Sequence, residues 1–253
     1  MNIGFSTGSL ALGDFRKAIE MLKDSCTNAI ELSALREKEL VTLIDSFDTL
    51  VLDQYDYISF HAPSKIKYCT EKELIIELRK VADRNISIVL HPDVIQDIRL
   101  WRSLGSYLCI ENMDKRKSIG RTTADLEHIF TYLPEASFCF DLAHVKQVDP
   151  TMSEAIIMSQ KLGNRLKQLH VSDVNSSSIH EPLNLEAIIS FRRLAGLINH
   201  DIPIILETPI TRERIELEIK LASLIFDDYK FQKTISNLGI HINSSTGRVQ
   251  EVI

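Results

Sequence analysis

Short apolar runs, most of them closed by a polar residue, recur along this chain, and longer amphipathic stretches lie between them. The runs are Ile3-Gly4-Phe5, Ala29-Ile30-Glu31-Leu32, Tyr57 to His61, Ile86 to His91, Tyr107 to Glu111, Ser137 to Asp141, Leu166 to His170 and Ile202 to Glu207. Between them, Phe15 to Leu22 and Glu71 to Val81 space their apolar residues by three and four, the period of a helix that packs one stripe on a sheet. Asp14 and Thr70 are the expected N-caps of these two helices. The same period predicts helices over Thr123 to Tyr132, Ser153 to Leu162, Leu185 to Ile198 and Arg212 to Ile225, with a shorter one over Asp97 to Leu104.

Strand and helix in regular alternation imply parallel strands joined by helical crossovers. The length of 253 residues suits one closed barrel, and no Gly/Ser/Pro-rich linker divides it. The expected fold is therefore α/β, a single (β/α)8 TIM barrel spanning residues 1–253. Beyond Ile225 the alternation stops, so residues 226–253 read as a C-terminal extension, either an extra helix and tail across the barrel bottom or a partly mobile end. An open doubly wound sheet is the competing topology. It would carry G-x-G-x-x-G after the first strand, but Gly4, Gly8 and Gly13 lack that spacing and no Walker A sequence occurs.

Composition narrows the function classes. A formal charge of −6 gives no global basic footprint for nucleic acid, which leaves room only for a local cationic groove. Cys26, Cys69, Cys109 and Cys139 lack CxxC spacing, and free thiols in a reducing compartment are expected. The N-terminus has no signal-like charge and apolar pattern, and no apolar stretch is long enough to span a membrane. A cytoplasmic protein without a membrane partner is the expectation; the sequence leaves a homo-oligomer open.

The chemistry lies at the strand ends. In chain order they offer Glu31, His61, His91, Glu111, Asp141, His170 and Glu207, with His144 just after the sixth strand and His180 after the seventh. One strand-end His or Glu is usually a hydrogen-bonded surface residue; ligand types on strand after strand are harder to explain that way. Carboxylates and imidazoles converging on a dry barrel mouth repel, or incur a large desolvation cost, unless a cation neutralises them. This donor set suits Zn²⁺ or Mn²⁺, with Fe²⁺ also compatible. Glu111, Asp141, His170 and Glu207 are expected to hold one ion. His61 and His91 face it, and a shared Glu111 makes a second ion. The run Lys115-Arg116-Lys117 reads first as a solvated loop, with a phosphate contact as the alternative.

The motifs Ser59-Phe60-His61-Ala62-Pro63, Leu90-His91-Pro92, Ile110-Glu111-Asn112, Phe140-Asp141-Leu142-Ala143-His144, Leu169-His170-Val171-Ser172-Asp173 and Leu206-Glu207-Thr208-Pro209 resemble those of the xylose-isomerase-like barrel superfamily. That group includes sugar-phosphate isomerases, epimerases and endonuclease IV. For the isomerase branch the resemblance implies one ion held by Glu111, Asp141, His170 and Glu207. Glu111 and Glu207 then act as the acid and base pair, and His144 and His180 orient substrate hydroxyls or a phosphate. Glu31, read from its strand-end position alone, is expected to be a substrate contact or a salt-bridge partner. For the endonuclease IV branch it implies a multi-metal phosphodiester hydrolase with His61 and His91 as further ligands. In that branch a third ion takes a D-x-H pair after strand seven, and here Ser178 stands where the Asp belongs. The first reading is a divalent-metal isomerase or epimerase acting on a small sugar or sugar phosphate. The hydrolase, with nucleic acid as its partner, is the alternative, and a non-catalytic ligand-binding barrel is the third.

Overall fold

The computed structural model describes residues 1–237, 240–242 and 249–251. Eight parallel strands close on themselves: β1 (Ile3–Ser6), β2 (Ala29–Ser33), β3 (Tyr57–His61), β4 (Ser87–Leu90), β5 (Leu108–Glu111), β6 (Ser137–Asp141), β7 (Leu166–Val171) and β8 (Ile204–Leu206). Each strand pairs with its sequence neighbours, and β8 pairs with β1. The fold is thus the single (β/α)8 barrel that the alternation predicts. β1 is the shortest of the expected runs, and it approaches β2 closely. A Cβ on Gly4 would fall 1.7 Å from the Ala29 carbonyl oxygen, so only glycine fits there.

The helices predicted over Phe15–Leu22, Thr123–Tyr132 and Ser153–Leu162 are present with those bounds. Asp14 caps the first by accepting from Lys17 N at 3.0 Å, and Thr70 caps Glu71–Ala82 by accepting from Glu73 N at 3.3 Å. Two expected helices change pitch. Leu185–Phe191 tightens into a 3-10 turn, Arg192–Leu194, and Ile215–Phe226 is preceded by the 3-10 turn Arg212–Arg214. A helix over Glu37–Ser46, absent from the sequence reading, completes the crossover from β2 to β3.

Helix Asp228–Asn237 follows the last crossover helix and buries Phe231 and Ile235 in the main core. Lys230 and Thr234 line a cavity with Met1 and Ile3, at the end of the barrel where β1 begins. Residues 238–239, 243–248 and 252–253 of the expected extension lie outside the described residues. Among the described residues no helix is long and apolar enough to cross a membrane.

Side chains alternate in and out along each strand, and the inward ones stack in layers. His61, Glu111, Asp141 and His170 form the layer at the C-terminal mouth. Two residues earlier on the same strands stand Ser59, Cys109, Cys139 and Gln168, all buried. Cys109 and Cys139 pack with Val89 in a small cluster of their own, which is the apolar floor under the mouth.

Candidate metal centre

Glu111, the last residue of β5, is the hub. Its Oε2 lies 3.3 Å from His61 Nε2, 3.3 Å from His91 Nε2 and 3.6 Å from His170 Nδ1. Among the described residues four sets of donor atoms lie within 4.8 Å of one another: His61, His91 and Glu111; Glu111, Asp141, His170 and Glu207; Glu111, Cys139 and His170; and Glu31, His61 and Glu207. The first two are the groupings expected from the sequence, with Glu111 common to both.

Several donor atoms in the cluster are buried and have no hydrogen-bond partner: Asp141 Oδ2, His170 Nδ1, His91 Nδ1 and Glu111 Oε1. The Glu111 atom is instructive. His144 Nδ1 stands 3.2 Å from it, but that nitrogen also lies 2.9 Å from the Asn112 carbonyl oxygen, and the ring's single Nδ1 proton serves the carbonyl. Orphaned buried acceptors cost roughly 1–3 kcal/mol each, more when charged. A cation among them removes that cost, so the residues present fit a divalent metal.

The local folding of each ligand explains its aim. Asp141 ends β6 and caps the short helix Leu142–Val148, accepting from His144 N at 2.6 Å through Oδ1 and leaving Oδ2 turned into the cluster. Asn112 ties the ends of β5 and β6 together: its Nδ2 donates to the Asp141 carbonyl at 2.9 Å and its Oδ1 accepts from Asp141 N at 2.7 Å. His170 Nε2 lies 3.0 Å from Glu31 Oε2, and Gln168 Nε2 donates to the same oxygen at 2.8 Å. Tyr57 in turn donates to Gln168 Oε1 at 2.7 Å. A carboxylate behind one imidazole nitrogen fixes the tautomer that leaves the other nitrogen free as a ligand.

Of the two expectations for Glu31, its placement against His170 fits the salt-bridge partner and not the substrate contact. β2 continues beyond Glu31 to Ser33, so Ser33 pairs with His61 and Glu31 pairs with Ser59. Glu31 thus sits one layer below the mouth, fully buried, and does not line the cavity. His144 and His180 do line it, with ring centroids 5.7 Å apart. His180 rides a short antiparallel hairpin, Asp173–Val174 with His180–Glu181, and its Nδ1 is held 2.7 Å from Ser172 Oγ. Ser178 donates to Gln147 Oε1 at 2.5 Å, which gives its hydroxyl a partner outside this histidine pair.

Burial and neighbouring charge oppose each other throughout. Burial pushes the Glu111 carboxyl up, but the imidazoles of His91 and His170 outweigh it and hold the group well below the usual carboxylate range. Burial lowers His61, yet Glu111 and Glu31 raise it to about 9. Burial raises Glu207 to about 7 against the pull of His170. His180 is driven down to about 3 by burial and by the adjacent His144.

Above the centre opens a cavity of about 510 Å³. Its wall includes Lys65 and Asp114, which the sequence did not single out, and Arg116 and Lys117 from the basic run after β5. The run expected to be a solvated loop therefore sends two of its three cations to the mouth, while Lys115 stays outside. The signal available in the sequence was the position of the run directly after a strand-end ligand.

No family model and no curated protein matches the sequence. Solved structures do match. One is a D-tagatose 3-epimerase-like protein, 16% identical, covering 94% of this chain and 100% of its own, with a TM-score of 0.56. Another is endonuclease IV from Thermus thermophilus, 17% identical over 92% of this chain and 100% of its own, TM-score 0.56. A third is a xylose isomerase-like TIM barrel protein from Mycobacterium smegmatis, solved in complex with magnesium, 14% identical over 89% and 98%, TM-score 0.57. This chain shares the (β/α)8 barrel fold of these proteins.

Proposed function

From that fold and this mouth, we propose that the chain is a divalent-metal enzyme of the isomerase or epimerase type, acting on a small polyol, keto-sugar or sugar phosphate. The observation that carries the reading is the pairing of Glu111 and Glu207 about His170 beneath a cavity of about 510 Å³, a size suited to a small molecule. Glu111, Asp141, His170 and Glu207 would hold the ion, with Zn²⁺ or Mn²⁺ best matched to the donor set. When bound, a divalent cation polarises a substrate oxygen.

The chain's own residues supply the rest. Glu207, on the cavity wall at the end of the last strand, takes or returns a proton at the substrate carbon. Glu111 stays ionised among its imidazoles and flanks the substrate from the other side. His144 and His180, both on the cavity wall, orient substrate hydroxyls. Deuterium wash-in from solvent into a panel of keto-sugars tests the reading. Metal-loaded protein should exchange at the carbon next to a carbonyl, and no exchange across the panel contradicts it.

A second reading has its own observation. His61 and His91 each stand 3.3 Å from Glu111 Oε2, a set of three donors that could hold a second ion. Two-ion centres suit phosphodiester hydrolysis. Nicking of an abasic duplex by zinc-loaded protein would favour this reading over the first.

A further inference from the structure

We infer that the lip of the cavity is a subsite for a phosphomonoester group, formed by Lys65, Arg116 and Lys117, so that the substrate is a phosphorylated small polyol. The inference rests on the small-substrate reading above and names the substrate's charged end. All three cations line the same cavity in a chain whose net charge is −6.

Two of the three are held in place. Asp114, only 1% exposed, accepts from Arg116 Nε at 3.0 Å and from Nη2 at 2.7 Å, a two-pronged grip that fixes the guanidinium plane. Asp114 Oδ1 also accepts from Arg116 N at 2.7 Å, and Arg116 Nη1 reaches the Ser177 carbonyl at 3.4 Å. Lys117, 19% exposed, pairs with Asp93 beside His91. The loop closes on itself through Met113 N to Gly120 O at 2.8 Å. At Gly120 the backbone has φ of 80°, and a Cβ would come within 2.6 Å of Pro92, so glycine lets the loop seat against the residue after His91.

A buried carboxylate carries a desolvation cost that a solvated loop would avoid, and here that cost holds fixed cations over the mouth. Arg116 is 53% exposed and keeps donors free for a ligand. Lys65 comes from a different loop, the one that follows His61, and is exposed. Cations on the wall of one small cavity suit a single dianion. A nucleic-acid strand instead calls for cations spread along a groove, and an acidic surface repels it.

The probe is glycerol 3-phosphate against glycerol, titrated calorimetrically into metal-loaded protein. The phosphate ester should bind at least roughly tenfold more tightly than glycerol, with affinity falling as salt rises. Lys65→Met and Lys117→Met should each weaken it roughly tenfold or more at unchanged metal content, while Lys115→Met, off the cavity, leaves it as in wild type. No heat from the phosphate ester overturns the subsite, and so does equal binding by the Lys65 and Lys117 variants, which would put the anion on the metal. An abasic duplex that binds more tightly than glycerol 3-phosphate and is weakened equally by Lys115→Met also overturns it. Because calorimetry needs no turnover, failure of keto-sugar exchange with these results intact would reject the isomerase reading alone. Exchange on neutral sugars without phosphate binding would reject the subsite alone.

Discussion

The two sides of the mouth meet at Glu111 and are built from different chemistry. On one side His61 and His91 bring imidazole nitrogens from the ends of β3 and β4, with ring centroids 4.9 Å apart. On the other, Asp141, His170 and Glu207 bring two carboxylates and one imidazole, braced from below by Glu31 and Gln168. The carboxylate side is anionic and supported by a hydrogen-bonded layer. The imidazole side depends on Glu111 for its negative charge. A cation should therefore hold more firmly on the carboxylate side, and the imidazole side should fill second.

The largest expected effect comes from removing what the two sides share. Glu111→Gln should lower turnover by about 10³-fold or more without unfolding the barrel, measured by steady-state kinetics beside circular dichroism. Unchanged turnover would mean that the two sides work independently of Glu111. Next, the double variant His61→Ala/His91→Ala should give up one ion and keep the other. If proton transfer belongs to the carboxylate side, solvent exchange should survive within about tenfold. Its complete loss would assign the chemistry to both sides and favour hydrolysis. A smaller effect follows from loosening the brace: Glu31→Gln should weaken metal binding by about 10- to 100-fold, read by competition with a chromogenic chelator.

The smallest effect is one of pH. In the metal-free chain His61 is raised to about 9 by Glu111 and Glu31, although burial pulls it down. A raised folded-state value means that its contribution to stability is full below the ordinary histidine value of about 6.5 and fades as pH rises through about 9. Metal-free protein should thus lose thermal stability over that window, and the His61→Ala/His91→Ala variant should lose less. Because a metal must displace the same proton, uptake on the imidazole side should strengthen as pH rises toward 9. Flat uptake from about pH 6 to 9 would remove the proposed difference between the sides.

Much of this was legible along the chain, for physical reasons. Tyr57–His61 and Ser137–Asp141 could be read residue by residue because each is a run of mostly apolar and β-favouring residues closed by a charged or imidazole group at the mouth. Glu37–Ser46 was not legible. It starts from Arg36 rather than a Ser, Thr, Asn or Asp cap, and Val41, Thr42 and Ile44 weaken its helical signal. Glu31 was placed a layer too high because the apolar run gives a strand's presence, whereas its register comes from pairing with β3. Asn112, Gln168 and Asp114 escaped notice for a related reason. Each acts through partners on other elements, or through the aim it gives a neighbour, and sequence spacing carries no information about either.

The measurement that bears most directly on the shared carboxylate is the metal content of purified, zinc-titrated protein, counted by elemental analysis for wild type and Glu111→Gln. At least one ion per wild-type chain, with none retained stoichiometrically by the variant after dialysis, is the predicted result. A Glu111→Gln chain that keeps the wild-type complement, or a wild-type chain that takes up no divalent metal, would contradict a centre organised around Glu111.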